Sequence, residues 1–251
     1  MTEIPQARTR RSALVAAMCA LVVAGTGLTG CGSGDPDAGT NGVGKLPAEQ
    51  IQSRTRAAAK SAPTVRLSGT VVSNGGTFKL DMRLKGDGGT GSVTSKNGTF
   101  GLLRVGEHLF LKADAAFWAR QDGGSTDGGG SAAASKLGGK YVKVPTSDPA
   151  YKRFSGFTDK GLLLDGLLTL HGALTTDGHH EQGGVPTIRI TGDKGAGGTL
   201  DVSLKGRPYP LRLVRAGNAG TLALSDWGKD FPLVRPPDNE TVDYGKQLPS
   251  S

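Results

Sequence analysis

Apolar and polar residues alternate along much of this chain. Val65, Leu67, Gly69 and Val71 alternate with Arg66, Ser68 and Thr70; Phe78, Leu80, Met82 and Leu84 alternate with Lys79, Asp81, Arg83 and Lys85. A period of two sends successive side chains to opposite faces of a strand, so each run predicts a β-strand with one apolar face. The Asn74-Gly75 pair between them is a hairpin signal, because both residue types tolerate positive φ. Gly91–Ser95, Thr99–Val105 and His108–Lys112 extend the pattern, with turns at Asn97-Gly98 and Gly106-Glu107. The pattern is that of an up-and-down meander.

Other stretches carry a different period. Ala48, Ile51, Thr55, Ala58 and Ala59 recur at three- and four-residue steps between Pro47 and Pro63, which predicts a helix over 47–60. Asp114–Arg120 and Ser131–Leu137 read as short helices around a Gly/Ser/Asp loop at 122–130, and Lys140–Val144 as a short strand. Phe154–Leu170, rich in leucine, reads as one helix with its cap. Strands resume at Gly172–Thr176, Val185–Thr191, Thr199–Leu204, Pro210–Arg215 and Gly220–Ser225, and the proline-rich tail from Pro232 is expected to run over the surface. Strands, a helical middle and further strands predict an α+β fold with segregated helices.

Glycine supplies 41 of the 251 residues, about 16% against a usual share near 7%. It has no collagen period and gathers between the alternating runs, which marks turns. The formal charge is +8, of which residues 1–30 carry +2. The basic residues are scattered and aromatic content is 5%, a composition that argues against a nucleic-acid partner. A basic excess of this kind also suits an anionic membrane surface.

The N-terminus has its own logic. Arg8, Arg10 and Arg11 precede an apolar run from Ala13 to Ala24, about 12 residues long. A transmembrane helix needs about 20, so the run predicts a secretory leader. Leu28-Thr29-Gly30-Cys31 then matches the bacterial lipobox. In that chemistry the thiol receives a diacylglyceryl group, and the small residues before it admit the peptidase. Two acyl chains suffice for stable attachment where one is marginal. The run Thr9–Leu14 also resembles a twin-arginine signal, and general secretion fits as well. Residues 1–30 are therefore read as a lipoprotein signal peptide, Cys31 as the lipidation site and 31–46 as a flexible tether. The folded domain is expected over 47–245, with a tail at 246–251, on the outer face of the cytoplasmic membrane. With Cys19 lost in the leader and Cys31 acylated, neither a disulfide nor a thiol nucleophile remains.

Signals of catalysis are lacking. There is no Gly-x-Ser-x-Gly elbow, His-Glu-x-x-His pair or phosphate loop. His179, His180, Glu181 and Asp177 fall in an apparent glycine loop without a second cluster, so no metal site is expected. His108 and His171 sit at strand ends, and Trp118 and Trp227 are read first as packing residues, with a place at an opening or a membrane interface as the alternative. No catalytic residue, cofactor or metal is assigned. The candidate ligand surface is apolar: Phe78, Leu80, Met82, Leu84, Leu102, Leu109, Leu111, Phe117, Leu163, Leu164, Leu167 and Leu168. The same residues suit an ordinary core, and an acyl chain needs only dry walls, at roughly 0.8 kcal/mol per buried methylene.

Several ordered segments resemble the LppX/LprA/LprF/LprG lipoprotein family of actinobacteria, whose fold is related to the LolA/LolB carriers. They are the lipobox, Val65–Val71, Phe100–Gly106, Leu109–Trp118, Gly139–Pro145 (with Tyr141 where tryptophan is common), Lys205–Arg212 and Leu224–Lys229. The resemblance implies a curved antiparallel sheet, a half-barrel, with helices on its concave face. It also implies, as in some members, an apolar cavity that holds acyl chains. The partners it implies are a lipid or glycolipid, the membrane through the acyl anchor and a membrane transporter, with the protein a monomer. An interaction module of a transporter or wall-assembly complex, with a filled core and recognition loops at 122–130 and 177–184, is the alternative.

Overall fold

A computed structural model of the chain describes residues 36–73, 75–121 and 134–243. The leader, Cys31, Asn74, the loop expected at 122–130 and the tail at 246–251 lie outside the described residues. Six strands come first: β1 Thr64–Ser73, β2 Gly76–Lys85, β3 Gly88–Ser95, β4 Gly98–Val105, β5 His108–Ala113 and β6 Tyr141–Val144. Six more follow: β7 Leu174–Gln182, β8 Val185–Gly192, β9 Thr199–Ser203, β10 Pro210–Val214, β11 Gly220–Ser225 and β12 Thr241–Asp243. The helices are α1 Ala48–Ser61, α2 Ala115–Gln121, α3 Pro149–Thr158 and α4 Lys160–Leu167. Residues 134–137 are also helical.

All twelve strands form one open sheet in the order β12-β6-β5-β4-β3-β2-β1-β11-β10-β9-β8-β7. Each half is a meander, as the alternation predicts, and the halves join where β1 pairs antiparallel with β11. The fold is the expected α+β arrangement of a curved antiparallel sheet with helices laid on one face.

Register turns the alternation into continuous rows. One apolar row runs across seven strands through Val142, Leu111, Leu102, Gly91, Met82, Leu67 and Leu224. The next crosses nine through Ala113, Phe100, Val93, Leu80, Gly69, Leu222, Leu213, Leu200 and Ile190. Gly91 is needed in the first row because a Cβ there would strike the Asp81 carbonyl and Met82. Met82 instead fills that space and is wholly buried.

The opposite face is charged. Arg66 donates to both carboxylate oxygens of Asp81, at 2.8 and 2.7 Å. Arg189, Asp201 and Arg212 face one another across β8, β9 and β10. Arg189 donates to Asp201 at 2.6 and 3.2 Å.

α1 forms where its period predicts. Ala48, Ile51, Thr55 and Ala59 are buried, and the helix starts after Pro47 and stops before Pro63. Alanine-rich composition favours this helix, and packing of the narrow apolar stripe holds it to the sheet.

Four expectations need correction. The leucine-rich stretch is two helices, because Asp159 interrupts it. The Asp159 side chain accepts from the Leu162 amide at 2.9 Å and so caps a new helix. The upstream helix begins earlier, capped by Asp148, which accepts from the Ala150 amide at 2.7 Å. Residues 177–182 are not a loop: β7 runs through His179 and His180 with a register irregularity between Thr176 and His179. The turn is only Gly183-Gly184, both at positive φ (58° and 78°), as a tight hairpin requires. The proline-rich tail ends in β12, which pairs parallel with β6 at the sheet edge. Finally, the linker expected over 31–46 is docked in its described part. The Asn41 side-chain amide donates to the Ser203 and Gly206 carbonyls at 2.9 and 3.1 Å, and Val43 is buried. Polar composition predicts no periodic structure there; the docking comes from the bonds of Asn41 to distant carbonyls, the burial of Val43 and the contact of Asp37 with His179.

Candidate hydrophobic-ligand site

The inner face of the sheet meets a cover of short elements. α1 lies over β7 and β8, and α3 over β2, β3 and β4. α1 and α3 each touch α4. Phe117 and Trp118 of α2, with Ala134 and Leu137, add to the cover.

All twelve residues of the sequence-predicted surface join one apolar cluster. Leu80, Met82, Leu84, Leu102, Leu109, Leu111, Phe117, Leu164 and Leu168 are buried, while Phe78, Leu163 and Leu167 are half-buried at its margin. Aromatic rings close one end. Phe100 stands 5.3 Å from Phe117 and 5.4 Å from Phe154, and Phe117 meets Trp118 edge-on at 5.5 Å. Such tilted and edge contacts place positive ring edges against negative faces. Trp118 is buried, as a packing residue should be; its indole N–H and the Thr55 hydroxyl have no hydrogen-bond partner among the described residues. Trp227 stacks on Tyr209 at 4.8 Å and donates to the Pro210 carbonyl at 3.0 Å.

A small cavity touches the edge of this cluster at Leu164 and Leu168. It measures about 30 Å³ and lies between α1 and α4, lined by Arg56, Lys60, Lys160, Gly161, Leu164, Asp165 and Leu168. Two larger depressions, about 390 and 350 Å³, share His108, Lys143 and Asp243 at the β5–β6 edge. Their walls mix charged residues with apolar ones such as Phe110 and Val144, and Lys143 pairs with Asp243 at 2.6 Å.

Arg104 breaks the apolar row on β4. It pairs with Leu109 and Gly89, both on the inner face. Its guanidinium donates to the Thr158 hydroxyl at 3.0 Å and carbonyl at 2.9 Å, and lies 3.6 Å from Asp159. This ties the α3–α4 junction to the sheet. Thr158 itself is fully buried and donates to the Ser155 carbonyl at 3.0 Å.

No protein-family model matches the chain. No curated protein matches it either. Among solved structures, LprF from Mycobacterium bovis matches with a TM-score of 0.50 at 17% identity, over 75% of this chain and 96% of LprF. This is the LprF fold. The Mycobacterium tuberculosis lipoprotein LppX matches with a TM-score of 0.41 at 15% identity, over 74% of this chain and 99% of LppX. An uncharacterized conserved protein from Thermus thermophilus matches at 0.37 and 10% identity, over 78% and 98% of the two chains.

Within this version of the LprF fold, the polar residues at the cover are not among those that sequence reasoning singles out. Arg104 carries a visible signal, since it falls on the apolar phase set by Phe100 and Leu102. Lys160 carries none. Its ammonium donates to the Lys60 and Ala62 carbonyls, at 3.0 and 2.5 Å, at the C-terminal end of α1. Burial pushes it below the ordinary lysine value. The histidines do not converge: His179 meets Asp37 at 3.1 Å, while His180 meets the Asp177 carbonyl at 2.8 Å. Among the described residues no three His, Cys, Asp or Glu side chains gather as a metal site would require.

Arg104→Met keeps the side-chain stem and removes the polar tie to Thr158 and Asp159. A buried carbonyl loses its partner, so about 2 kcal/mol of stability should be lost. The corresponding fall in Tm is about 4–8 °C. Hydrogen exchange over 149–167 should accelerate more than exchange in β1 or β2. Uniform acceleration, or none, would show that Arg104 does not hold the cover.

Proposed function

We propose that this chain is a membrane-anchored extracytoplasmic lipoprotein that binds and carries a lipid or other hydrophobic ligand at the cell envelope. In this reading Cys31 is acylated after removal of residues 1–30, and the domain works at the outer face of the cytoplasmic membrane. The chain belongs, on this reading, with the LppX/LprF-type lipoproteins. The observation that carries it is the pair of apolar rows crossing seven and nine strands under a cover of short helices. α3 and α4 have 10 and 8 residues, too short to be stable alone, so their position depends on packing and on the Arg104 tie. Moving them would expose a greasy trough without disturbing sheet hydrogen bonds. Each methylene of an acyl chain entering it gains roughly 0.8 kcal/mol, so several methylenes offset the helix contacts they replace. No helix among the described residues is long and apolar enough to cross a membrane, and attachment rests on the lipobox.

The test is native mass spectrometry of the full chain after gentle detergent extraction, followed by delipidation and reloading with a labelled diacyl lipid. The expected result is a co-purifying lipid mass and stoichiometric reloading. Cys31→Ser should shift the protein from the membrane fraction to the soluble fraction. Protein that never takes up lipid in either state would end the carrier reading. One observation favours the alternative, a non-carrying interaction module: nine of the twelve predicted residues are already buried. A module of that kind would stay anchored through Cys31 yet refuse lipid.

A further inference from the structure

The small cavity between α1 and α4, here called the mouth, has a charged rim and an apolar floor. Arg56 and Lys60 lie one turn apart on the exposed face of α1, and Lys160 opens α4 opposite them. Lys60 is exposed and pairs with no carboxylate among the described residues. Arg56 approaches Asp165 at 3.6 Å across solvent-exposed side chains, and among the described residues lining the rim that carboxylate is the only acidic group. Arg207 adds a fourth cation, donating to Ser61 at 3.3 Å on the same helix end. Directly inside are Leu164 and Leu168, both buried. Thr55, also on α1, is fully buried, and its hydroxyl has no partner among the described residues.

From this arrangement we propose that the mouth is the headgroup site of an anionic amphiphile, with its phosphate held by Arg56, Lys60 and Lys160 and its acyl chains passing Leu164 and Leu168 into the trough. The proposal rests on the carrier reading and adds the charge class of the ligand and the direction from which it enters. A phosphate offers oxygens to the arginine fork and to both ammonium groups. Lys160 already bonds the Lys60 carbonyl in α1 and the Ala62 carbonyl just past its end. Its third proton remains for the ligand.

The experiment compares uptake of fluorescent phosphatidylglycerol and fluorescent diacylglycerol with matched chains by the full chain in nonionic detergent. Phosphatidylglycerol should bind at least tenfold more tightly. Lys60→Glu, on an exposed position that does not threaten folding, should remove most of that preference and leave diacylglycerol uptake unchanged; Lys160→Gln should act in the same direction. Inorganic phosphate at millimolar concentration should compete only weakly, because it lacks the tails. Equal uptake of the two lipids, unaltered by Lys60→Glu, would overturn the headgroup site while leaving carriage intact. Phosphate that binds as well as phosphatidylglycerol would make this a free-anion site and overturn the lipid assignment. Uptake of neither lipid would remove both this proposal and the carrier reading.

Discussion

Leu67→Ala should lower the unfolding free energy by about 3–4 kcal/mol, near the upper half of the range for large-to-small changes in a core. Leu67 is fully buried and stands on β1, the strand at which the two meanders meet. Met82 flanks it on one side and Leu224 on the other. Truncation therefore leaves a hole bordered by both halves, and neither neighbour can fill it without leaving its own row. The expected fall in Tm is roughly 10 °C for a domain of this size. Urea unfolding should show a lower midpoint with an unchanged slope. Leu67→Met, which conserves volume, should cost under about 1.5 kcal/mol. The experiment also tests cooperativity: one transition is expected for both proteins. Two transitions, or a loss below about 1 kcal/mol, would mean that the halves do not share this core.

Asp201→Ala should cost about 3 kcal/mol, for an electrostatic reason. The Asp201 side chain is only 2% exposed and lies between Arg189 at 2.6 Å and Arg212 at 3.8 Å. Its removal leaves two cations side by side on the sheet, one of them only 22% exposed. Breaking a buried pair in this way costs about 3–5 kcal/mol, and partial solvent access to the guanidinium groups places the effect at the lower end. The double variant Asp201→Leu with Arg189→Leu should recover a large part of the loss, because no uncompensated charge is then created at that pair. Because the carboxylate is buried, salt at about 0.5 M should reduce the single-variant effect only modestly. An effect that disappears in salt, or a double variant as unstable as the sum of the singles, would show that the pair behaves as a surface contact.

The sheet and the cover illustrate how differently parts of this molecule can be read in advance. Period-two alternation is a local property with a single geometric consequence, so β4, β5 and β8 to β11 are legible to within a residue, and β1, β2 and β3 to within two or three. β7 reads too short because glycine at 178, 183 and 184 looks like a loop, whereas a single positive-φ residue inside the strand, Gly178 at 73°, is accommodated by an irregular register. β12 escapes prediction for another reason. Three residues after a proline-rich run have no period of their own, and only the free edge of β6 makes them a strand.

The candidate site divides in the same manner. Its apolar residues can be named because strand phase determines which side chains share a face, and all twelve do gather. Whether they line a trough or fill a core depends on the cover, and the cover depends on contacts far apart in the chain. Arg104 reaches Thr158 across 54 positions, and Lys160 reaches Ala62 across 98.

Residue order alone therefore settled most strands of both meanders, the first helix and the inward-facing side chains. Folding in three dimensions decided that β1 and β11 join the halves, that Asp159 divides the leucine-rich stretch, that Asn41 pins the linker and that three cations meet at one mouth. The first group follows from torsion and amphipathic period over a few neighbouring residues. The second follows from hydrogen bonds and charges whose partners are neighbours only after the chain has closed on itself.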